Sequence, residues 1–185
     1  MMINRIHILG ASGSGTTSLA SEISQKFGYT HWDTDDFFWE KTDPPFTRQR
    51  KLEERVRKLA NALQTSEKWV LSGSLCGWGD VFIPFFDLVI FLWIPEEVRL
   101  ERLKLREKQR YGDKISFGGP MYEAHLEFME WALEYDKGDM RIRSKRLHYA
   151  WMEKLPCKIL KIEEDVDMVE KIKRVEDVII KYTAR

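Results

Sequence analysis

Nine consecutive residues near the start of the chain, Gly10, Ala11, Ser12, Gly13, Ser14, Gly15, Thr16, Thr17 and Ser18, have the types and spacing that hold an anion. Glycines at 10, 13 and 15 let the backbone curl so that its N–H groups point inward. A helix starting there adds the positive end of its dipole. Such a loop holds nucleotide phosphates, and Thr17 stands where a hydroxyl would reach Mg²⁺. One position departs from the motif: Thr16 replaces the Lys that normally reaches the outer phosphates. Losing one preorganised donor to transition-state charge costs ~10²–10³ in rate. Binding can rest on the backbone, while phosphoryl chemistry calls for a cation from elsewhere.

The next candidates are acids. His31, Trp32, Asp33, Thr34, Asp35, Asp36, Phe37, Phe38 and Trp39 follow one another. One of these carboxylates can hold water around Mg²⁺. Another can orient an acceptor hydroxyl or take its proton. Phe37, Phe38 and Trp39 offer an apolar wall. The bland alternative is that the acids cap a turn and the aromatics belong to the core. Arginines supply the missing cation. Arg99, Arg102, Arg106 and Arg110, spaced three, four and four, fall on one helix face, with Leu100 and Leu103 on a different, buried face. That stripe either meets phosphates through forked bonds or is a solvated face paired with Glu101 and Glu107. Arg141, Arg143 and Arg146 close a Gly-containing stretch, where an arginine finger would stand in for the Lys. Gly73, Ser74, Gly77 and Gly79 allow close approach of an acceptor or form a plain turn.

Other reactive residue types carry less. Cys76 reads as a small buried residue rather than a nucleophile. His7, His31, His125 and His148 lack metal spacing and read as structural or surface residues. Trp93, Trp131 and Trp151 read as core. Glu163, Glu164 and Asp165 either border a nucleotide base or cap a turn.

The elements that must position these groups follow from patterning. Strands are expected at Arg5–Leu9, Tyr29–Trp32, Trp69–Leu71, Leu88–Trp93 and Lys158–Ile162. Helices are expected at Thr17–Phe27, Arg48–Leu63, Glu96–Arg110, around Met121–Asp136, and at Asp167–Thr183. Strands alternating with helices predict a parallel sheet covered on both faces, so sites lie beyond the carboxyl ends of the strands. Trp69–Leu71 and Leu88–Trp93 read as buried central strands. Residues 112–146 read as an insert over the sheet edge within one domain spanning 1–185.

Composition narrows the classes. The 185 residues carry 30 Lys+Arg against 30 Asp+Glu, so net charge is zero. Phosphate neutralisation drives duplex binding, so this balance argues against a direct nucleic-acid binder. Two cysteines without CxxC or zinc spacing suit a reducing compartment, and a cytoplasmic location is expected. The most apolar run, Leu88–Ile94, falls far short of the ~20 residues of a membrane span.

Across nearly its whole length the chain resembles the P-loop small-molecule kinases, such as adenylate kinase and shikimate kinase. Gly10–Thr17 carries the resemblance except at Thr16, and Asp33-Thr34-Asp35 resembles the Asp-x-Asp of shikimate kinase. It is more closely similar to bacterial adenylate-kinase-like proteins, some labelled DNA topology modulation proteins. Those share Gly-Ala-Ser-Gly-Ser-Gly-Thr-Thr and Leu-Ser-Gly-Ser with a downstream Gly-Trp-Gly. The resemblance implies an α/β three-layer sandwich, a five-stranded parallel sheet in order 2-3-1-4-5 and a helical lid at about 112–146. It places Asp33 near Mg²⁺, Asp35 near the acceptor hydroxyl and Gly73 in the acceptor pocket beside Asp36 and Phe38. Arg106 and Arg110 become lid-entry arginines, Arg141 or Arg143 the catalytic lid arginine, and ATP the donor. The expected function is ATP-dependent phosphoryl transfer to a nucleoside, nucleotide or hydroxylated metabolite, by a monomer or homodimer. The alternative is a nucleotide-binding regulator with little or no catalysis.

Overall fold

The apolar runs become five parallel strands: β1 (Arg5–Gly10), β2 (Thr30–Asp33), β3 (Trp69–Ser72), β4 (Leu88–Leu92) and β5 (Lys158–Ile162). The computed structural model describes residues 2–183; residues 1, 184 and 185 lie outside the described residues. The strands lie in the order β2-β3-β1-β4-β5, as the resemblance implies. The register pairs Asp33 with Ser72, Ile8 with Ser72, and Gly10 with Leu92. The carboxyl ends of four strands therefore meet along one edge, where parallel α/β folds bind ligands.

Alternation along β1 sorts the two faces. Ile6 and Ile8 pack with Leu19, Ala20 and Ile23 of α1 (Thr16–Phe27) and Ile172 and Val175 of α7 (Met168–Thr183). Leu9 faces the opposite layer, with Phe37 of the short α2 (Thr34–Phe38), Leu59 and Leu63 of α3 (Leu52–Leu63), and Trp151 and Met152 of α6 (Lys145–Met152). Helices on both faces make the three-layer sandwich. β4 is buried at every position, so it reads as a continuous apolar run rather than an alternating one.

Several local expectations change. The helix expected from Arg48 begins at Leu52, and Leu52 itself is 49% exposed. The preceding backbone is spent on a ribbon: Arg50 N–H donates to Phe38 O, and Glu40 N–H to Arg48 O. Helix α2 replaces the expected loop because Asp33 caps it, its carboxylate accepting the Asp35 N–H at 3.0 Å.

The arginine stripe on α4 (Glu96–Tyr111) is divided. Arg99 is fully buried on the same side as Leu103 and Glu107, not with Arg102. A buried guanidinium needs partners. Arg99 has an ion pair with Asp136 and donates to the carbonyls of Ile94 and Ala132. Segment 112–146 packs on α4 and reaches the end of β4, where the Trp93 indole N–H donates to Asp136. Its helix α5 (Tyr122–Leu133) contributes Met129 and Ala132 to a small core with Leu103. Trp131 and Trp93 are only half-buried, whereas Trp151 is core.

Candidate active site at the phosphate loop

The loop after β1 is built around its glycines. A Cβ on Gly10 would overlap the Leu92 carbonyl oxygen, so the loop's first residue lets β1 and β4 lie close. Gly15 caps α1 at φ 94°, a left-handed conformation suited to glycine. No side chain caps this helix, and its first turn holds no acid. The unfilled N–H groups at its start are what an anion requires. Ala11 and Ser14 are buried, and Ser14 N–H already donates to Ala11 O at 3.1 Å. Ser14 and Ala11 therefore shape the loop, leaving Ser12, Gly13, Thr16, Thr17 and Ser18 on its open side, half-buried or exposed.

Beside the loop, three oxygen-bearing side chains converge. Thr17 Oγ1 donates to Asp33 Oδ2 at 2.8 Å, and Ser72 Oγ donates to the same oxygen at 2.6 Å. The register places them there, since Ser72 pairs with Asp33 across the sheet. Hard oxygen donors with a single carboxylate suit Mg²⁺, which keeps waters and phosphate oxygens as its remaining ligands. Among the described residues there is no cluster of three His, Cys, Asp or Glu that could hold a metal unaided. Thr17 and Asp33 thus fit a metal that arrives with phosphates.

Asp35 lies one step further along α2. It is open to solvent yet surrounded by protein on most sides. Burial and then the charge of Asp33 raise its pKa above the usual carboxylate range, while Arg143 and Arg106 oppose that shift. Arg143, on the arm before α6, and Arg106, on α4, are thus within electrostatic reach of this carboxylate. Arg141 is placed differently: its guanidinium pairs with Asp139 at 2.7 Å and its side chain is 89% exposed. Arg143 instead lies 5.3 Å from the Trp131 ring centre. Asp36 has a raised pKa from burial and from Asp33, offset by Lys41 and His31.

The wall next to Asp35 is aromatic and cationic. Arg55 stacks 3.7 Å from the Phe38 ring centre, and Trp39 and Trp78 meet Phe38 edge-on. Arg55 donates to Arg50 O and Gln49 Oε1 and has no acidic partner among the described residues. Arg110 lies 4.7 Å from the Phe46 ring and 3.9 Å from Glu107. Gly73, at φ 107°, closes the floor: a Cβ there would overlap Thr34 Oγ1.

Sequence reasoning missed Arg55, Trp78 and Ser72. Ser72 had a signal, since its Leu-Ser-Gly-Ser run ends a strand. Arg55 had none, being one of many cations on an amphipathic helix. The acids after β5 are already paired: Glu163 with Tyr149 and Lys145, Glu164 with Arg174, Asp165 with Arg102. Burial pushes the Cys76 thiol up to about 11, the opposite of an activated nucleophile. No helix among the described residues is long and apolar enough to cross a membrane.

Comparisons with known proteins agree with this architecture. A family model described as an AAA domain matches residues 6–127. The uncharacterized protein YqaC of Bacillus subtilis (strain 168) is 48% identical over 176 residues, covering 95% of this chain and 97% of that protein. A cytidylate kinase of Methanoregula boonei is 27% identical over 120 residues, covering 56% of this chain and 62% of that enzyme. Among solved structures, shikimate kinase from Acinetobacter baumannii in complex with shikimate superposes with a TM-score of 0.58. The identity is 16%, covering 99% of this chain and 96% of that one. The open helix start beside Thr17 and Asp33, the 2-3-1-4-5 sheet and these matches lead to one statement: the chain belongs to the AAA-domain family and has the fold of the P-loop small-molecule kinases.

Proposed function

We propose that the protein transfers a phosphoryl group from a nucleoside triphosphate, ATP by likeness to the kinases, to a small hydroxyl- or phosphate-bearing acceptor. The observation that carries this reading is the hydrogen bond from Thr17 to Asp33 at the open start of α1, with Asp35 next on α2 within electrostatic reach of Arg143 and Arg106. The backbone of the loop and the start of α1 hold the donor's phosphates. Thr17 and Asp33 would hold Mg²⁺, directly or through water, which would supply neutralisation of phosphate charge. Asp35 accepts the acceptor's hydroxyl proton, or orients it, as that oxygen bonds to the γ-phosphorus. The bond from the γ-phosphorus to its bridging oxygen breaks, and the nucleoside diphosphate leaves with the charge. Arg143 and Arg106 stabilise that charge in place of the lysine absent at Thr16. Segment 112–146 acts as the lid that carries Arg143 toward Arg106 of α4. The resemblance to adenylate-kinase-like proteins labelled DNA topology modulation proteins fits the Thr at position 16; zero net charge favours a small ligand over DNA.

The test is phosphoryl transfer from Mg·ATP to a panel of nucleosides, nucleoside monophosphates and small hydroxy acids. A product that disappears in Asp35→Asn supports the kinase reading and names the acceptor class. Thr16 favours a second reading, a nucleotide-binding regulator. It predicts ATP binding without transfer, and a gain of turnover in Thr16→Lys.

A further inference from the structure

Behind the cleft lies a buried polar chain that the reaction above does not use. Tyr135 Oη and His148 Nδ1 are 2.7 Å apart, and His148 Nε2 and Ser74 Oγ are 3.1 Å apart. Tyr135, His148 and Ser74 are 3%, 0% and 5% exposed. A neutral imidazole donates from one ring nitrogen and accepts at the other, and each hydroxyl can do either, so the chain satisfies both nitrogens. A doubly protonated ring could not accept from either hydroxyl. Burial, with Arg143 and His7 nearby, pushes the His148 pKa down to about 3 and keeps the ring neutral.

The ends of the chain lie in different parts of the site. Ser74 follows Gly73 at the acceptor end of β3, and its carbonyl accepts the Trp78 indole N–H at 3.0 Å. Trp78 in turn meets Phe38. Tyr135 begins the return from α5 toward α6, and its carbonyl accepts Lys145 N–H at 2.8 Å. Between those two residues Ser144 caps α6 and donates to Asp139 O at 2.6 Å. Arg143 therefore sits in a short arc clamped at both ends.

We propose that the Tyr135–His148–Ser74 chain is a positioning device. It ties the returning arm that carries Arg143 to the Gly73–Ser74 floor, so that the cation and the acceptor keep one spacing. The three residues touch neither substrate nor reacting atoms. Their role in rate rests on the kinase reading above; the tie itself does not.

Amide hydrogen exchange on the full chain tests the tie without needing activity. Tyr135→Phe and Ser74→Ala each remove one hydroxyl and little volume. Tyr135→Phe is expected to speed exchange in 73–79, the far end, and Ser74→Ala in 139–144. The expected rise is about fivefold for one lost hydrogen bond, with residues 10–18 within about twofold of wild type. Acceleration confined to each variant's own neighbourhood, or spread evenly over the sheet, would overturn the tie. Steady-state transfer then tests the consequence. Tyr135→Phe should lower kcat about tenfold with the nucleotide KM within about twofold, and the loss should vanish in an Arg143→Ala background. Additive losses would overturn positioning through Arg143. A wild type that transfers phosphate to no acceptor counts against the kinase reading, and the exchange result still decides the tie.

Discussion

The proposed donor half and acceptor half of this site are made by opposite means. The donor half is nine consecutive residues, and what they offer is backbone: glycines and the uncapped start of α1. The acceptor half gathers side chains from α2, α3, α4 and the arm before α6, namely Asp35, Arg55, Arg106 and Arg143, over a floor at Gly73. A backbone cradle tolerates side-chain change wherever the path of the loop is kept. A side-chain cluster fails when one contributor is lost or its supporting element shifts. The Thr at position 16 suits this division, since it removes a side chain from the half that depends on them least.

The sharpest way to break the comparison is to remove a cation from each end of the returning arm. Arg143→Ala should lower kcat by about 10³, the lower range for an arginine acting on a transferred phosphoryl. Arg141→Ala should stay within about threefold, because Arg141 is committed to Asp139 at the surface. Steady-state transfer assays check both, and equal losses would erase the distinction drawn between them. Asp35→Asn should follow, with kcat reduced about 10²–10³ and nucleotide affinity unchanged by equilibrium titration. A parallel loss of nucleotide affinity would show that the halves are not separable.

Smaller effects sharpen the comparison through stability. Gly73→Ala places a methyl on Thr34 Oγ1 and holds alanine at φ 107°. It should cost about 2–3 kcal/mol in urea unfolding. Adding Thr34→Ala should recover only part, since the backbone strain remains. A comparable effect, reduced by an opposing carboxylate, is one of pH. His7 is pushed down to about 4 by burial, partly offset by its bond to Leu71 O, and His148 to about 3. In the unfolded chain both titrate near 6.5, so below that pH the unfolded state binds more protons. Stability is complete above about 6.5 and falls as pH drops, on the order of 1.4 kcal/mol per pH unit for each ring. Asp35, with its raised pKa, contributes in the opposite sense. Urea midpoints at pH 7.5 and 5.5 should show the net fall.

Much of the fold was legible because it is periodic. Lys158–Ile162 is a strand with the bounds its pattern predicts, β1, β3 and β4 differ by one residue at one end, and β2 is shifted by one residue at both ends. α3 was misread at its start because a hydrophobic pattern does not reveal where a backbone N–H finds its partner; Arg50 gives its own to Phe38. Arg99 was misread because charge alone says surface. Asp136, 37 residues on, and the Ile94 and Ala132 carbonyls make its burial possible.

The same division separates the two halves of the site. By itself the sequence determined the phosphate loop, whose meaning lies in consecutive residues and the strand and helix that flank them. Tertiary structure alone decided that Ser72 joins Thr17 on Asp33, that Arg55 covers Phe38, and that Arg141 is tied to Asp139 while Arg143 lies by the Trp131 ring. Those contacts join residues tens of positions apart. Their geometry depends on strand register and on how elements distant in sequence pack together, and neither leaves a local mark in the chain.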